Sequence, residues 1–414
     1  MPADRLSAHL EGELKTLEDQ GRRKARETVI TGVEPPQGGR GPRYRVEGEP
    51  GRAYLRMNAN SYLGLSRHPR LLEAAEQAAR SYGSGPGAVR FISGTFAPHA
   101  DLERRLAAFH GREAALLFSS AYAAVLGTLI SLITPQTAVI SDELNHNSII
   151  NALRLARPQR KDVYRHLDLA DLEVRLRSAV GARRAVVVTD GVFSMRGVHA
   201  PLDRVAARVS AHDPHFPENA LLVVDDSHGV GALGASGRGS EELCGTRADL
   251  LIGTLGKAFG VNGGYVVGSR ALIDYLREVA PLTVFSNPIS PAEAAAACAA
   301  LELTDSAWGR ERLAHLRALT DRFRRGLRAL GLETLSGEHP VVPLFVRDAA
   351  RTRALVARLR ERQILVTGLT FPVVPAGDES LRFQISAEHT EADIDEVLAA
   401  LEAVSGWAAA GLED

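Results

Sequence analysis

Short, nearly continuous apolar runs recur between residues 100 and 270, each separated from the next by a stretch with helical periodicity. The runs Ala114–Phe118, Ala138–Ser141, Ala185–Asp190, Ala220–Asp225, Leu250–Gly253 and Gly264–Gly268 are too short for helices. They lack polar alternation, which is the pattern of strands buried on both faces. Apolar residues three and four apart predict helices over His99–Phe109, Ala121–Ile133, Asn147–Leu155, Leu169–Ala179 and Leu202–Ala211. This alternation predicts an α/β fold, a mostly parallel central sheet covered by helices on both faces. Ligands of such sheets bind beyond the carboxyl ends of the strands.

The flanks read differently. Leu6–Thr28 has helical periodicity with mixed charge and predicts an amphipathic arm, while Gly32–Gly51 has the Gly, Pro and Arg content of a linker. A strand at Tyr54–Asn58, a turn at Asn60–Gly64, a helix over Pro69–Tyr82 and a glycine-rich loop, Tyr82–Thr95, follow. Beyond one long helix over Pro291–Ala329, strands at Val341–Val346, Ile364–Val366 and Leu381–Ser386 mix with helices at Asp348–Arg362 and Glu391–Val404. The expected organisation is an arm and linker over 1–55, a large domain over 56–290 and a smaller α+β domain over 291–414.

Composition narrows this only slightly. Of 414 residues, 45% are hydrophobic and 24% charged, with a net charge of -1, so neither a nucleic-acid partner nor a basic membrane face is expected. No charged residue interrupts Ala114–Ser141, but its serines, threonines and Pro135 favour a strand running into a buried helix over a membrane span. Cys244 and Cys298 cannot build a disulfide framework and lack metal-ligand spacing, so no metal is expected and a cytoplasmic setting fits. Met1–Thr28 lacks an apolar core, and no export signal is read there.

The chemistry gathers at the predicted strand ends. In Asp249–Tyr265 an apolar strand runs into a glycine-rich turn that carries Lys257. Loss of hydration lowers a lysine's pKa and makes its amine a nucleophile and base, which suits a covalent link to a carbonyl cofactor. A phosphate-binding P-loop is excluded, since Ala258 follows Gly256-Lys257 and position 251 is Leu. Asp225 ends another apolar strand, where a carboxylate calls for a cation such as a protonated pyridine nitrogen, and His228 three residues on can reach the ring's phenolic oxygen. His146 follows a third strand and opens a helix, placed to stack on a flat ring and to move a proton. Ser119-Ser120-Ala121-Tyr122 opens a helix whose free N–H groups suit a phosphate, with the hydroxyls of Ser194 and Thr254 nearby. Gly229–Gly234 matches the GxGxxG spacing of dinucleotide folds, but Asp225–His228 stands between it and the strand, so no nucleotide role is read there.

Taken together, Asn60–Leu65, Ile92–Thr95, Asp142–Ile149, Thr189–Met195, Asp225–His228, Thr254–Lys257 and Phe285–Asn287 resemble the motifs of the α-oxoamine synthases, over nearly the whole chain. The resemblance implies the fold-type-I aminotransferase architecture, with a seven-stranded central sheet, and pyridoxal 5′-phosphate as cofactor. It implies that Lys257 joins the cofactor covalently, that Asp225 pairs with the ring nitrogen, that His228 meets the phenolic oxygen and that His146 stacks on the ring. Ala121 and Tyr122 (through the backbone), Ser194 and Thr254 would help hold the cofactor. Ser286 and Asn287 would reach the phosphate of a neighbouring subunit, which implies a homodimer with active sites at its interface. Asn60 and Arg382 would hold the amino acid's carboxylate, a role the planar guanidinium of Arg382 suits on its own account.

Within the family the likeness is strongest to the 2-amino-3-ketobutyrate CoA ligase (glycine C-acetyltransferase) branch, through Ala88–Thr95, Val366–Pro375 and Phe383–Thr390. The activity implied is condensation of glycine or a small amino acid with an acyl-CoA. Val89 and Phe91 stand where succinyl-CoA users carry Thr and Asn, and two apolar side chains cannot pair a distal carboxylate, so a plain acyl group is expected. An 8-amino-7-oxononanoate synthase or a broad-range acyl-thioester relative, acting with decarboxylation and on CoA or acyl carrier protein thioesters, is the nearest alternative. A plain aminotransferase and a non-catalytic binding protein on the same fold stand further off. Arg196 and Asn147 depart from the ligase pattern, at positions that bear on the thioester and amino-acid pockets.

Overall fold

The computed structural model describes residues 3–20, 22–23 and 27–409. Helix α1 (Asp4–Asp19) opens the chain and buries none of its residues. It stops well short of the expected Thr28, and residues 21 and 24–26 of that expectation lie outside the described residues. The stretch read as a linker instead contributes β1 (Ile30–Glu34) and β2 (Arg43–Val46), which pair antiparallel with each other and then with β3 (Ala53–Arg56).

Helices α2 (Pro69–Tyr82) and α3 (Ala97–Phe109) lead into the region of alternating elements. There β4 (Ala114–Phe118), α4 (Ala121–Leu132), β5 (Thr137–Asp142), α5 (Asn147–Leu155), β6 (Arg160–Tyr164), α6 (Leu169–Ser178) and β7 (Arg184–Asp190) follow in turn. A small hairpin, β8 (Val192–Phe193) and β9 (Val198–His199), then precedes α7 (Leu202–His212) and β10 (Ala220–Asp225). The short α8 (Ser240–Cys244), β11 (Leu250–Thr254) and β12 (Gly264–Gly268) complete the set. The seven long strands form one sheet in the order β4-β12-β11-β10-β7-β5-β6. Only β12 runs antiparallel to its neighbours. The strands β4, β5, β10, β11 and β12 are buried along almost their whole length, as their apolar runs demand. The edge strand β6 was absent from the expectation because Arg160-Lys161-Asp162 is polar, and only Tyr164 of the strand is buried.

Helices α9 (Arg270–Val279) and α10 (Pro281–Val284) lead out of the sheet. The single helix expected over 291–329 is two, α11 (Pro291–Thr304) and α12 (Ala307–Ala329). The break falls where the Ser306 side chain caps the second helix by accepting from Gly309 N–H. The remaining chain forms β13 (Val341–Phe345), α13 (Ala349–Glu361), β14 (Ile364–Leu365), β15 (Thr367–Leu369), β16 (Ser380–Gln384) and α14 (Glu391–Ala409). A three-stranded antiparallel sheet, β13-β16-β15, carries Arg382 at its centre. Strand β14 pairs parallel with β3, which stitches the N-terminal strands to the C-terminal region.

Candidate active site

Because β4, β5, β7, β10 and β11 are parallel, their carboxyl ends open on one edge of the sheet. In register, Asp225 of β10 stands beside Asp190 of β7. A cavity of about 270 Å³ lies at that edge, lined among others by Ala121, Tyr122, His146, Asp190, Ser194, Asp225, His228, Thr254 and Lys257. Residues separated by more than a hundred positions thus meet because consecutive strands end at the same level.

Lys257 sits on the turn between β11 and β12. Burial lowers its pKa to about 8, against the opposing pull of the Asp225 and Asp190 carboxylates. Its amine has no hydrogen-bond partner among the described residues. Asp225 takes both the N–H (3.1 Å) and the hydroxyl (2.6 Å) of Ser227 on Oδ1, which fixes the carboxylate without neutralising it. Asp190 accepts the His146 N–H on Oδ2 at 3.1 Å, while its buried Oδ1 has no partner. Burial, reinforced by Asp225, raises the Asp190 carboxyl well above the usual carboxylate range.

His146 caps the N-terminus of α5. Its Nδ1 accepts from Ser148 N–H at 3.2 Å and lies 2.7 Å from Ser148 Oγ, so the neutral ring carries its proton on Nε2. Burial lowers its pKa and Asp225 opposes that shift. The first turn of α4 brings backbone N–H groups to the same cavity, with Ser120 as N-cap. Gly264 makes this approach possible, since a Cβ there would stand 2.2 Å from Ala121 N. Thr254 Oγ1 accepts from Gly256 N–H at 3.1 Å and so stays at the rim. Asn60 Oδ1 accepts from Arg382 at 3.0 Å and from Gln384, which holds the guanidinium in place while its buried Nε remains unpartnered. Arg382 is close enough to depress the basicity of Lys257.

These groups fit pyridoxal 5′-phosphate. An unpaired amine, an un-neutralised carboxylate, an orphan carboxylate oxygen and a helix N-terminus are what an aldehyde, a ring nitrogen with its proton, and a phosphate would satisfy.

Six expected residues do not line the cavity within one chain: Asn60 and Arg382 stand beside it, near enough for Arg382 to act on Lys257, and four others lie elsewhere. Val89 and Phe91 belong to or border a turn at residues 90–94, with Phe91 70% exposed, and Phe91 lines a separate recess with Arg277 and Val284. Ser286 and Asn287 lie on the segment after α10, beside Phe285, which is 81% exposed. The two departures from the ligase pattern both have partners. Asn147 Oδ1 accepts from Tyr122 Oη at 3.1 Å and from Asn151 at 2.8 Å, and Arg196 pairs with Asp378. Arg196 borders a second cavity of about 390 Å³ that shares Ser194 with the first and is walled by Ile150, Phe193, Met195, Phe371, Val373 and Val374. Asp190 and Ser227 were not among the expected site residues. The strand-end argument that picked out Asp225 applies equally to Asp190, the last residue of the neighbouring apolar run. Gly229–Gly234 forms turns rather than a strand-to-helix passage, with Gly229 against Asp226 and Gly234 against Glu242.

Comparison with known proteins agrees with this geometry. The aminotransferase class I and II family model matches residues 52–401. The chain is 41% identical over 394 residues to the human mitochondrial 2-amino-3-ketobutyrate coenzyme A ligase, covering 94% of this chain and 90% of that one. It is 44% identical over 364 residues to the 8-amino-7-oxononanoate synthase of Marinobacter nauticus, covering 87% and 90%. Among solved structures it is similar to the serine palmitoyltransferase of Sphingomonas wittichii, with a TM-score of 0.86, 29% identity and 98% of each chain covered. A serine palmitoyltransferase from S. paucimobilis with bound PLP-myriocin aligns with a TM-score of 0.87 at 26% identity over 99% of each chain.

Proposed function

The chain belongs to the class I and II aminotransferase family and, within it, to the α-oxoamine synthases, pyridoxal phosphate-dependent acyltransferases, and from that premise we propose that it condenses glycine with a plain acyl-CoA. The observation that carries the reading is the convergence of Lys257, Asp225, His228 and His146 on one cavity at the strand ends.

When bound, the cofactor supplies an aldehyde for covalent attachment and a ring that accepts the electron pair left at the amino acid's α-carbon. The protein's own groups do the rest. Arg382, held by Asn60, grips the amino acid's carboxylate through its unpartnered edge. Lys257, its pKa brought down to about 8, takes the α-proton; as the new carbon–carbon bond forms and the thioester's C–S bond breaks, an equivalent proton leaves on the CoA thiol. Asp225, fixed by Ser227, holds the proton of the ring nitrogen in place. His146 offers Nε2–H to the oxygen of the thioester carbonyl as negative charge develops there. The α4 N-terminus, Thr254 and Ser194 hold the phosphate, with Ser286 and Asn287 of a second copy completing it. The exposed Phe91, Ile92 and Phe285 side chains support burial against such a copy in a homodimer.

The apolar wall of the second cavity, whose guanidinium Arg196 is already paired with Asp378, supports an acyl group without distal charge, as do Val89 and Phe91. Two free cysteines support a reducing, cytoplasmic setting, and among the described residues no helix is long and apolar enough to cross a membrane. The similarity to 8-amino-7-oxononanoate synthases favours one second reading, alanine with a longer acyl thioester on CoA or a carrier protein. Thiol release and ketone formation from glycine with acetyl-CoA, set against alanine with pimeloyl thioesters, separates the two. Amino-group transfer to a 2-oxo acid without thiol release overturns both.

A further inference from the structure

The loop between β3 and the single helical turn at residues 65–67 places Tyr62 against the site without letting it reach the cofactor cavity. Tyr62 is fully buried, and its hydroxyl has two acceptors within reach. His228 Nδ1 lies at 2.6 Å and Asn60 Oδ1 at 3.4 Å. The Asn60 oxygen is already occupied by Arg382 and Gln384, so the phenol's single proton goes to His228. Burial raises the Tyr62 pKa, with the Arg382 guanidinium opposing it, and the phenol keeps that proton across the working range.

The backbone of His228 is fixed as well. His339, buried, accepts Val341 N–H on Nδ1 at 3.1 Å and therefore donates from Nε2 to the His228 carbonyl at 2.8 Å. The Tyr62 ring packs edge-on against His339 at 5.4 Å. The imidazole of His228 is thus gripped on Nδ1, while its Nε2 has no protein partner among the described residues and the residue lines the cavity.

We propose that Tyr62 is a positioning residue: it holds His228 in the tautomer with the proton on Nε2, so that the ring presents a donor to the phenolic oxygen of the bound cofactor. The proposal deepens the reading above and rests on it for the identity of the acceptor. A histidine without this clamp would be free to turn an acceptor towards an anionic oxygen, which repels it. The groups facing His228 are Tyr62, His339, His146, Lys257 and Arg382. Burial foremost, then the cationic Lys257 and Arg382, lowers its pKa well below the ordinary value, so the tautomer rather than the charge decides what it offers.

The test uses ¹⁵N-histidine-labelled protein loaded with pyridoxal 5′-phosphate, with His228→Gln to assign the signal. In the native protein His228 should show a bare Nδ1 and a protonated Nε2 between about pH 6 and 9. The opposite or an averaging tautomer overturns the proposal, and this measurement needs no variant at Tyr62. In Tyr62→Phe the single tautomer should be lost. The pH midpoint of the cofactor's visible absorbance should rise by about half a unit or more, because a donor has been withdrawn from the anionic ring oxygen that competes for the same proton. A Tyr62→Phe protein that matches the native circular dichroism and shows an unmoved midpoint and spectrum sinks the idea. If no visible band forms on loading, the cofactor reading fails, yet the tautomer remains readable in the cofactor-free protein.

Discussion

Asp225 and Asp226 adjoin in the chain, yet they belong to two regions with opposite character. Asp225 opens on the cavity, where Lys257 and Oδ1 of Asp190 lack partners, and the nearby Arg382 leaves its Nε unpartnered as well. Asp226 is fully buried, accepting Ser240 Oγ at 2.7 Å and Ser240 N–H at 2.8 Å, with Gly191, Gly229 and Gly239 so close that a Cβ on any of them would overlap its carboxyl. One region leaves hydrogen-bonding capacity unused, whereas in the other each carboxyl oxygen of Asp226 has a partner. Open valences in a buried setting are destabilising, and they are retained where a ligand will complete them. Closed ones hold the strand end that aims the open ones.

The contrast is broken most severely at Lys257. Lys257→Met should reduce turnover by about 10³-fold or more while leaving the fold intact. In cofactor-free protein at about pH 7 this variant should also melt a few degrees higher than the native chain. The sign follows from the pKa: the folded lysine gives up its proton near pH 8, the unfolded one only near its ordinary 10.5. The penalty of charging the buried amine is therefore present in full below about pH 8 and is relieved as pH rises towards 10.5. A melting gap that widens over that range contradicts the assignment. Asp225→Ala should follow, losing about 10²-fold or more in turnover with little change in unfolding midpoint.

Across the strand end the balance inverts. Asp226→Ala should cost about 2–4 kcal/mol in urea unfolding, because Ser240 loses both acceptors inside the protein. Each molecule that remains folded should still turn over within about tenfold of the native rate. Gly229→Ala should cost less, about 1–3 kcal/mol, since the new methyl would meet Asp226 Oδ1 at 2.1 Å. Asp226→Asn is read through its pH dependence rather than at a single pH. Burial raises the Asp226 pKa to about 8, so the folded chain holds this proton where the unfolded chain has released it. Native stability should thus fall relative to Asp226→Asn as pH rises from about 4 to about 8, a drift that paired melting curves at each pH would detect.

How far the fold can be read from the chain depends on where apolar side chains report burial. The central sheet was legible because its inner strands are apolar from end to end, as Ala185–Asp190 and Ala220–Asp225 are. The edge strand β6 and the strands β1 and β2 escaped because few of their residues are buried (none in β1, one in β6), and the glycines and prolines around β1 and β2 mimic a linker. The strand-end placement of Lys257, Asp225 and His146 was legible from the apolar runs, whereas the roles proposed for them rest on the resemblance. Tyr62 could not be read in this way, since its partner His228 is 166 residues away and nothing local marks an aromatic ring as a clamp. Nor could the caps on His146 and Asp225, although Ser148 and Ser227 each stand two residues from the group they fix.

The reversed direction of β12 has a consequence for how the reactive amine is tethered. Since β12 starts at the edge where β11 stops, the intervening link is a hairpin of nine residues, Leu255 to Gly263, pinned by the Leu255 N–H to Gly263 carbonyl bond at 2.9 Å. A same-direction neighbour would have required a crossover of about a dozen residues or more, leaving Lys257 on a long leash. An extra residue between Thr254 and Lys257 should therefore shift the amine relative to Asp225, because the hairpin has no long crossover in which to absorb it.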